Sequence, residues 1–102
     1  MGANGLVSVL VAGQGLVPAM TATVPPKAVV LNVTVTNTTA ASFLTVYPSD
    51  ATARPTASDL NWTAGLTVPN LVVVKVGADG KIDIYNLAGS TDVIADVVGW
   101  YN

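Results

Sequence analysis

Ala28-Val29-Val30-Leu31-Asn32-Val33-Thr34-Val35-Thr36 alternates along most of its length. Val29, Leu31, Val33 and Val35 fall on one side of an extended chain, and Asn32, Thr34 and Thr36 fall on the other. A period of two residues is that of a strand with one face buried and one face wet. The rest of the chain agrees. Of 102 residues, 18 are Val, 12 are Thr and 3 are Ile, so about a third are β-branched, the class that suits a pleated surface. Helix formers are sparse: Glu is absent, Gln14 is the single glutamine, and no long 3.6-residue apolar period occurs.

Reading outward from 28–36, the residues predict about seven strands. Leu6–Ala12 is the first, closed by Gly13-Gln14-Gly15. Pro18, Pro25 and Pro26 make 16–27 a connection. After Ala28–Thr36 come Ser42–Tyr47, Ala57–Thr63, Leu71–Val76, Lys81–Asn86 and Thr91–Tyr101. Asp79-Gly80 and Ala88-Gly89-Ser90 read as hairpin turns. Short strands with close turns predict an all-β, single antiparallel β-sandwich over residues 1–102, jelly-roll-like. An immunoglobulin-like sandwich or a closed barrel shares this periodicity.

Composition excludes several chemistries. Without Cys or His there is no disulfide, no Cys/His zinc site and no histidine-based nucleophilic catalysis. Four cations (Lys27, Arg54, Lys75, Lys81) against six aspartates give a net charge of −2, too little positive charge for nucleic acid. Leu6–Ala12 is far shorter than the ~20 apolar residues of a membrane span. It resembles the apolar part of a signal peptide, with Ala19-Met20-Thr21-Ala22 as a cleavage site, but lacks a basic start. Asp79 and Asp83 read as a turn residue and an exposed strand residue, not a calcium pair. The expectation is no enzyme, no metal and no cofactor.

Two features point to binding. Tyr47, Tyr85, Trp100 and Tyr101 could form an aromatic platform for sugar rings, with Asn86 among the groups that bond hydroxyls. Trp62 and Phe43 read as core. Asp96 lies in the apolar run Val93–Val98, where a carboxylate needs a partner such as Asn32, Asn61 or Arg54, or solvent. With hydrophobic residues at 51% and charged ones at 10%, against about 25% charged in ordinary domains, much of the surface must be apolar or covered by Thr and Asn. Apolar patches on a small domain mark interfaces, so a homo-oligomer is expected. The runs Leu71–Val74 and Val93–Val98 read as strands buried on both faces.

Several motifs occur together and in order. After Ala28–Thr36 come Phe43-Leu44-Thr45-Val46-Tyr47-Pro48, then Arg54-Pro55-Thr56-Ala57-Ser58-Asp59-Leu60-Asn61-Trp62, then Thr67-Val68-Pro69-Asn70-Leu71-Val72. Gly77-Ala78-Asp79-Gly80-Lys81, Tyr85-Asn86 and Gly89–Tyr101 complete the set. Over roughly residues 6–101 the chain resembles a β-rich accessory module, often in tandem, of secreted actinobacterial cell-wall amidases, peptidases and other exported hydrolases. The resemblance implies export or a cell-surface location and a non-catalytic role, with cell-wall glycan or another polysaccharide as the expected partner. The family module usually begins with a segment containing Leu-Asp-Thr-Arg, which this chain lacks, so it reads as a minimal version. A missing edge strand leaves backbone groups unpaired and invites another chain. The alternative is a self-associating structural domain, natural or an engineered minimal scaffold, with no small ligand.

Overall fold

The structure, a computed structural model, describes residues 1–102. It holds seven strands and no helix: β1 (Gly5–Leu10), β2 (Ala28–Thr36), β3 (Ser42–Pro48), β4 (Leu60–Trp62), β5 (Val68–Lys75), β6 (Lys81–Asn86) and β7 (Asp92–Tyr101). They form two antiparallel sheets, one of four strands in the order β1-β6-β3-β4 and one of three in the order β5-β2-β7. The chain is a β-sandwich. The β3–β6 pair is nested in sequence within the β2–β7 pair, the concentric pairing of a rolled-up hairpin.

β2 is the centre of the smaller sheet, and its alternation is the reason. Val29, Leu31, Val33 and Val35 are all buried against the facing sheet, while Asn32 and Thr34 stay half-buried on the outside. Leu44 and Val46 of β3, Leu60 and Trp62 of β4, and Ile82 and Ile84 of β6 meet them from the larger sheet. Burying each such side chain contributes about 1.5–3 kcal/mol. The Trp62 indole donates to the Ala40 carbonyl at 3.1 Å, so its polar edge is satisfied inside the core.

Several expectations are corrected. Gly80 and Gly89 do occupy positive φ, but neither turn closes a hairpin. β5 and β6 lie in different sheets, as do β6 and β7, so both turns carry the chain across the sandwich. β4 keeps only three residues, because Asp59 leaves the strand pattern and its carboxylate accepts the Val46 N–H at 2.7 Å. β5 begins earlier, at Val68, and includes Pro69. It is an edge strand, where the missing N–H of proline faces no partner. The runs 71–74 and 93–98 also lie on edge strands and are not buried on both faces. Leu71 is 61% exposed and Val98 is 62% exposed.

Candidate functional site

Tyr47 and Tyr85 lie on the outer face of the four-stranded sheet. Tyr47 stands beside Asp83 in register, Asp83 beside Ser8, and Tyr85 between Thr45 and Leu6. These positions would face solvent, yet Tyr47, Asp83, Tyr85 and Thr45 are buried. The segment between β3 and β4 folds back over them. The Thr45 hydroxyl donates to the Ala57 carbonyl at 3.0 Å, and the Arg54 guanidinium lies 3.6 Å from the centre of the Tyr85 ring. Below this cover the Ser8 hydroxyl donates to the Asp83 carboxylate, and the Tyr85 hydroxyl donates to Asn4 Oδ1 at 2.8 Å. Burial pushes the Tyr47 hydroxyl above its ordinary value, and the neighbouring Asp83 carboxylate adds to the effect. Asp83 is therefore no exposed strand residue, in contrast to its reading from sequence.

Asn86 points inward and has no exposed surface. It accepts from the Ser42 hydroxyl at 2.8 Å and donates to the carbonyls of Gly2 and Gly89 at 3.0 and 3.1 Å. Its amide ties the N-terminal segment to the turn before β7 and is fully occupied there.

Trp100 and Tyr101 are neighbours in β7 and emerge on opposite faces of it. Trp100 pairs with inward-facing Val29, and Tyr101 pairs with Ala28 on the outer side. The four aromatics thus do not converge on one platform. Asp96 sits opposite Asn32 on the outer face of the three-stranded sheet and is exposed. Solvent, not a buried partner, accommodates its charge. Asn61 and Arg54 belong to the other sheet and its covering loop; Asn61 accepts from the Ser58 hydroxyl at 3.0 Å. The outer face of the small sheet thus carries Tyr101, Asp96 and Asn32 among exposed Leu71, Val73 and Ile94.

The largest irregularity is the side of the sandwich flanked by β1 and β7. Each is the edge of its own sheet. Val7 and Val9 of β1 and Val93 and Ala95 of β7 face the interior by register, beside buried Ile84 and Val33. Yet Val7 is 44% exposed, and Ala95 is also open to solvent. The sheets do not close here. A groove of about 480 Å³ lies between them, lined by Met1, Val7, Val9, Ile84 and residues 91–93 and 95. A second hollow of about 410 Å³, lined by residues 14–17 and 97–100, continues along the C-terminal half of β7. Both volumes fall in the range of small-ligand sites, and both linings are mainly apolar.

One contact marks the end of this opening. The Thr91 N–H donates to the Met1 carbonyl at 3.0 Å, and the Met1 amino group donates to the Thr91 carbonyl at 2.9 Å. Met1 thus lies against Thr91 as one residue of an antiparallel strand would. Sequence reasoning missed Met1, Asn4, Ser8 and Asp83. Ser8 and Asp83 did carry a signal: Ser8 interrupts the otherwise apolar β1, and Asp83 stands between Ile82 and Ile84 of β6. Compared with protein families, characterised proteins and solved structures, the chain has no match.

Proposed function

We propose that this protein is a non-catalytic accessory module of an exported bacterial protein and that it works by association, first of all with further copies of itself. The observation that carries this reading is the open side between β1 and β7, where inward-facing valines remain exposed at two unpaired sheet edges. Sandwich proteins usually cover or charge such edges. Here the inward positions of both strands are apolar and uncharged. Export rests on the resemblance of the motif series to secreted actinobacterial modules. A catalytic role has little to draw on in a chain without Glu, His or Cys. Light scattering coupled to size exclusion over a hundredfold concentration range tests the reading. A defined multimer that survives dilution is the expected result, and a monomer throughout would overturn it.

A second reading has its own observation. Tyr101 is 59% exposed and shares an outer sheet face with Asp96 and Asn32, an apolar ring beside two hydroxyl-binding groups. That face suits contact with a cell-wall glycan or another polysaccharide. Co-sedimentation with insoluble cell-wall material tests it. Wild type should pellet with the glycan and Tyr101→Ala should stay in solution; equal pelleting of both would remove this reading.

A further inference from the structure

We infer that β7 pairs with β7 of a second copy, antiparallel and centred on Ala95, so that the two small sheets join into one six-stranded sheet. The inference rests on the self-association proposed above and adds the strand, the register and the symmetry.

Backbone direction is the first argument. Thr91 turns both its N–H and its C=O toward Met1 and so away from β2. Successive residues of a strand alternate, so Asp92, Ile94 and Asp96 pair with β2, while Val93, Ala95 and Val97 present their backbone groups to the free edge. That edge is bounded at both ends. Met1 occupies Thr91 at one end. At the other, the register against β2 shifts between Val30 and Leu31, leaving Val98 as an extra residue that ends regular pairing. The regular free edge is therefore Val93–Val97, and its midpoint is Ala95.

Charge disfavours the two adjacent registers, and the span Val93–Val97 sets the centre between them. With the two-fold axis at Ala95, Asp96 lies opposite the partner's Ile94, and Asp92 lies opposite the partner's Val98. Moving the centre to Ile94 sets Asp92 against the partner's Asp96, and moving it to Asp96 sets that residue against itself. Like charges directly opposite are unfavourable in a sheet. No positive side chain of β7 offsets them.

Shape agrees. In the proposed register the partner's Val93, Ala95 and Val97 point inward and reach the apolar groove lined by Val7, Val9 and Ile84. Val7, Val97, Val98 and Trp100 are exposed along this side. A two-fold pairing of like strands is also the simplest closed assembly.

These 102 residues contain no cysteine, so one introduced thiol reports unambiguously. The test combines light scattering of the wild type with mild oxidation of three single variants, Val93→Cys, Ala95→Cys and Val97→Cys, each checked for wild-type circular dichroism. Directly opposite residues lie ~5.5 Å apart in a hydrogen-bonded antiparallel pair, within disulfide range. The expected result is a wild-type dimer, most of Ala95→Cys as a covalent dimer, and at least a tenfold lower yield from the other two alone. Mixing Val93→Cys with Val97→Cys should restore the cross-link. A wild-type dimer with cross-linking strongest at 93 or 97, or at none of the three, overturns this register and leaves self-association standing. A wild-type monomer overturns both.

Discussion

Arg54 is exposed to solvent, yet its guanidinium carbon sits 3.6 Å from the centre of the buried Tyr85 ring. The contact fastens the β3–β4 connection onto the outer face of the larger sheet. An exposed cation–π pair contributes about 0.5–1 kcal/mol. Arg54→Ala should lower unfolding stability by about that amount. Urea denaturation measures it, and an unchanged midpoint would show that other contacts hold the connection.

The same cover sets an alkaline limit. Burial, then the Asp83 carboxylate, raises the Tyr47 hydroxyl above its ordinary value of 10.0; Arg54 opposes the shift and Tyr85 adds to it. A raised folded-state value favours the neutral phenol. Its stabilisation is full below the unfolded value and is lost as pH rises through the folded one. Stability should therefore fall above about pH 10. Tyr47→Phe should flatten that fall while changing little at pH 7, and Arg54→Ala should steepen it. Thermal melts between pH 7 and 11 would show both effects.

Asn86 joins three chain segments with one amide. Asn86→Ala removes the acceptor for Ser42 and the donors for Gly2 and Gly89 in a site without solvent. A buried group left unpaired costs about 1–3 kcal/mol. Loss of about 2–4 kcal/mol is expected for the variant. Asn86→Asp should be worse at neutral pH, since it places a charge against two carbonyl oxygens. Chemical denaturation of the two variants separates the effects.

Two glycines with positive φ should respond differently to alanine. Gly80 has φ 80°, and an added Cβ would come within 2.8 Å of the Ala12 Cβ. Gly15 has φ 55° and open space around it. Gly15→Ala should cost about 1 kcal/mol, the backbone term alone. Gly80→Ala should cost at least about twice that, because overpacking is added to it. Equal losses in a denaturant titration would remove the steric part of the argument.

Asp79 accepts from the Ser49 hydroxyl, which holds its carboxyl below the usual value of 3.8; the Lys81 N–H adds a smaller effect at 3.1 Å. A lowered folded value stabilises the fold above the ordinary carboxylate range, and this is lost as pH falls through the lowered one. In Ser49→Ala the Asp79 titration should move back up, as followed by carboxyl NMR shifts.

How far the sequence could be read depended on how local the cause was. β2 and β6 occupy the ranges that alternation predicts, because side-chain period and one buried face suffice to place a strand. The turns at Gly80 and Gly89 were also legible as turns. Their partners were not, since a tight turn looks alike whether the chain stays in its sheet or crosses to the next. Valine runs such as 93–98 suit a buried strand equally well as an apolar edge, and only sheet order distinguishes the two. Tyr47, Tyr85 and Asp83 appeared to be surface residues because their burial depends on a loop that returns from a different part of the chain. Trp100 and Tyr101 could have been separated from sequence, since adjacent residues of a strand point to opposite faces.

The strand order also bears on how fast the chain finds its fold. β3 and β4 are the only strands adjacent in sequence that pair; β1–β6, β2–β5, β2–β7 and β3–β6 all join distant segments. The Met1–Thr91 contact spans 90 residues. Closing such loops costs entropy before any ladder rewards it, which places all-β domains of this kind among the slow folders, at milliseconds to seconds. During that interval the valine-rich segments meant for β1 and β7 have neither sheet beside them. At high concentration they can meet the same segments of other chains first, so refolding yield should fall as protein concentration rises even where the native state is stable.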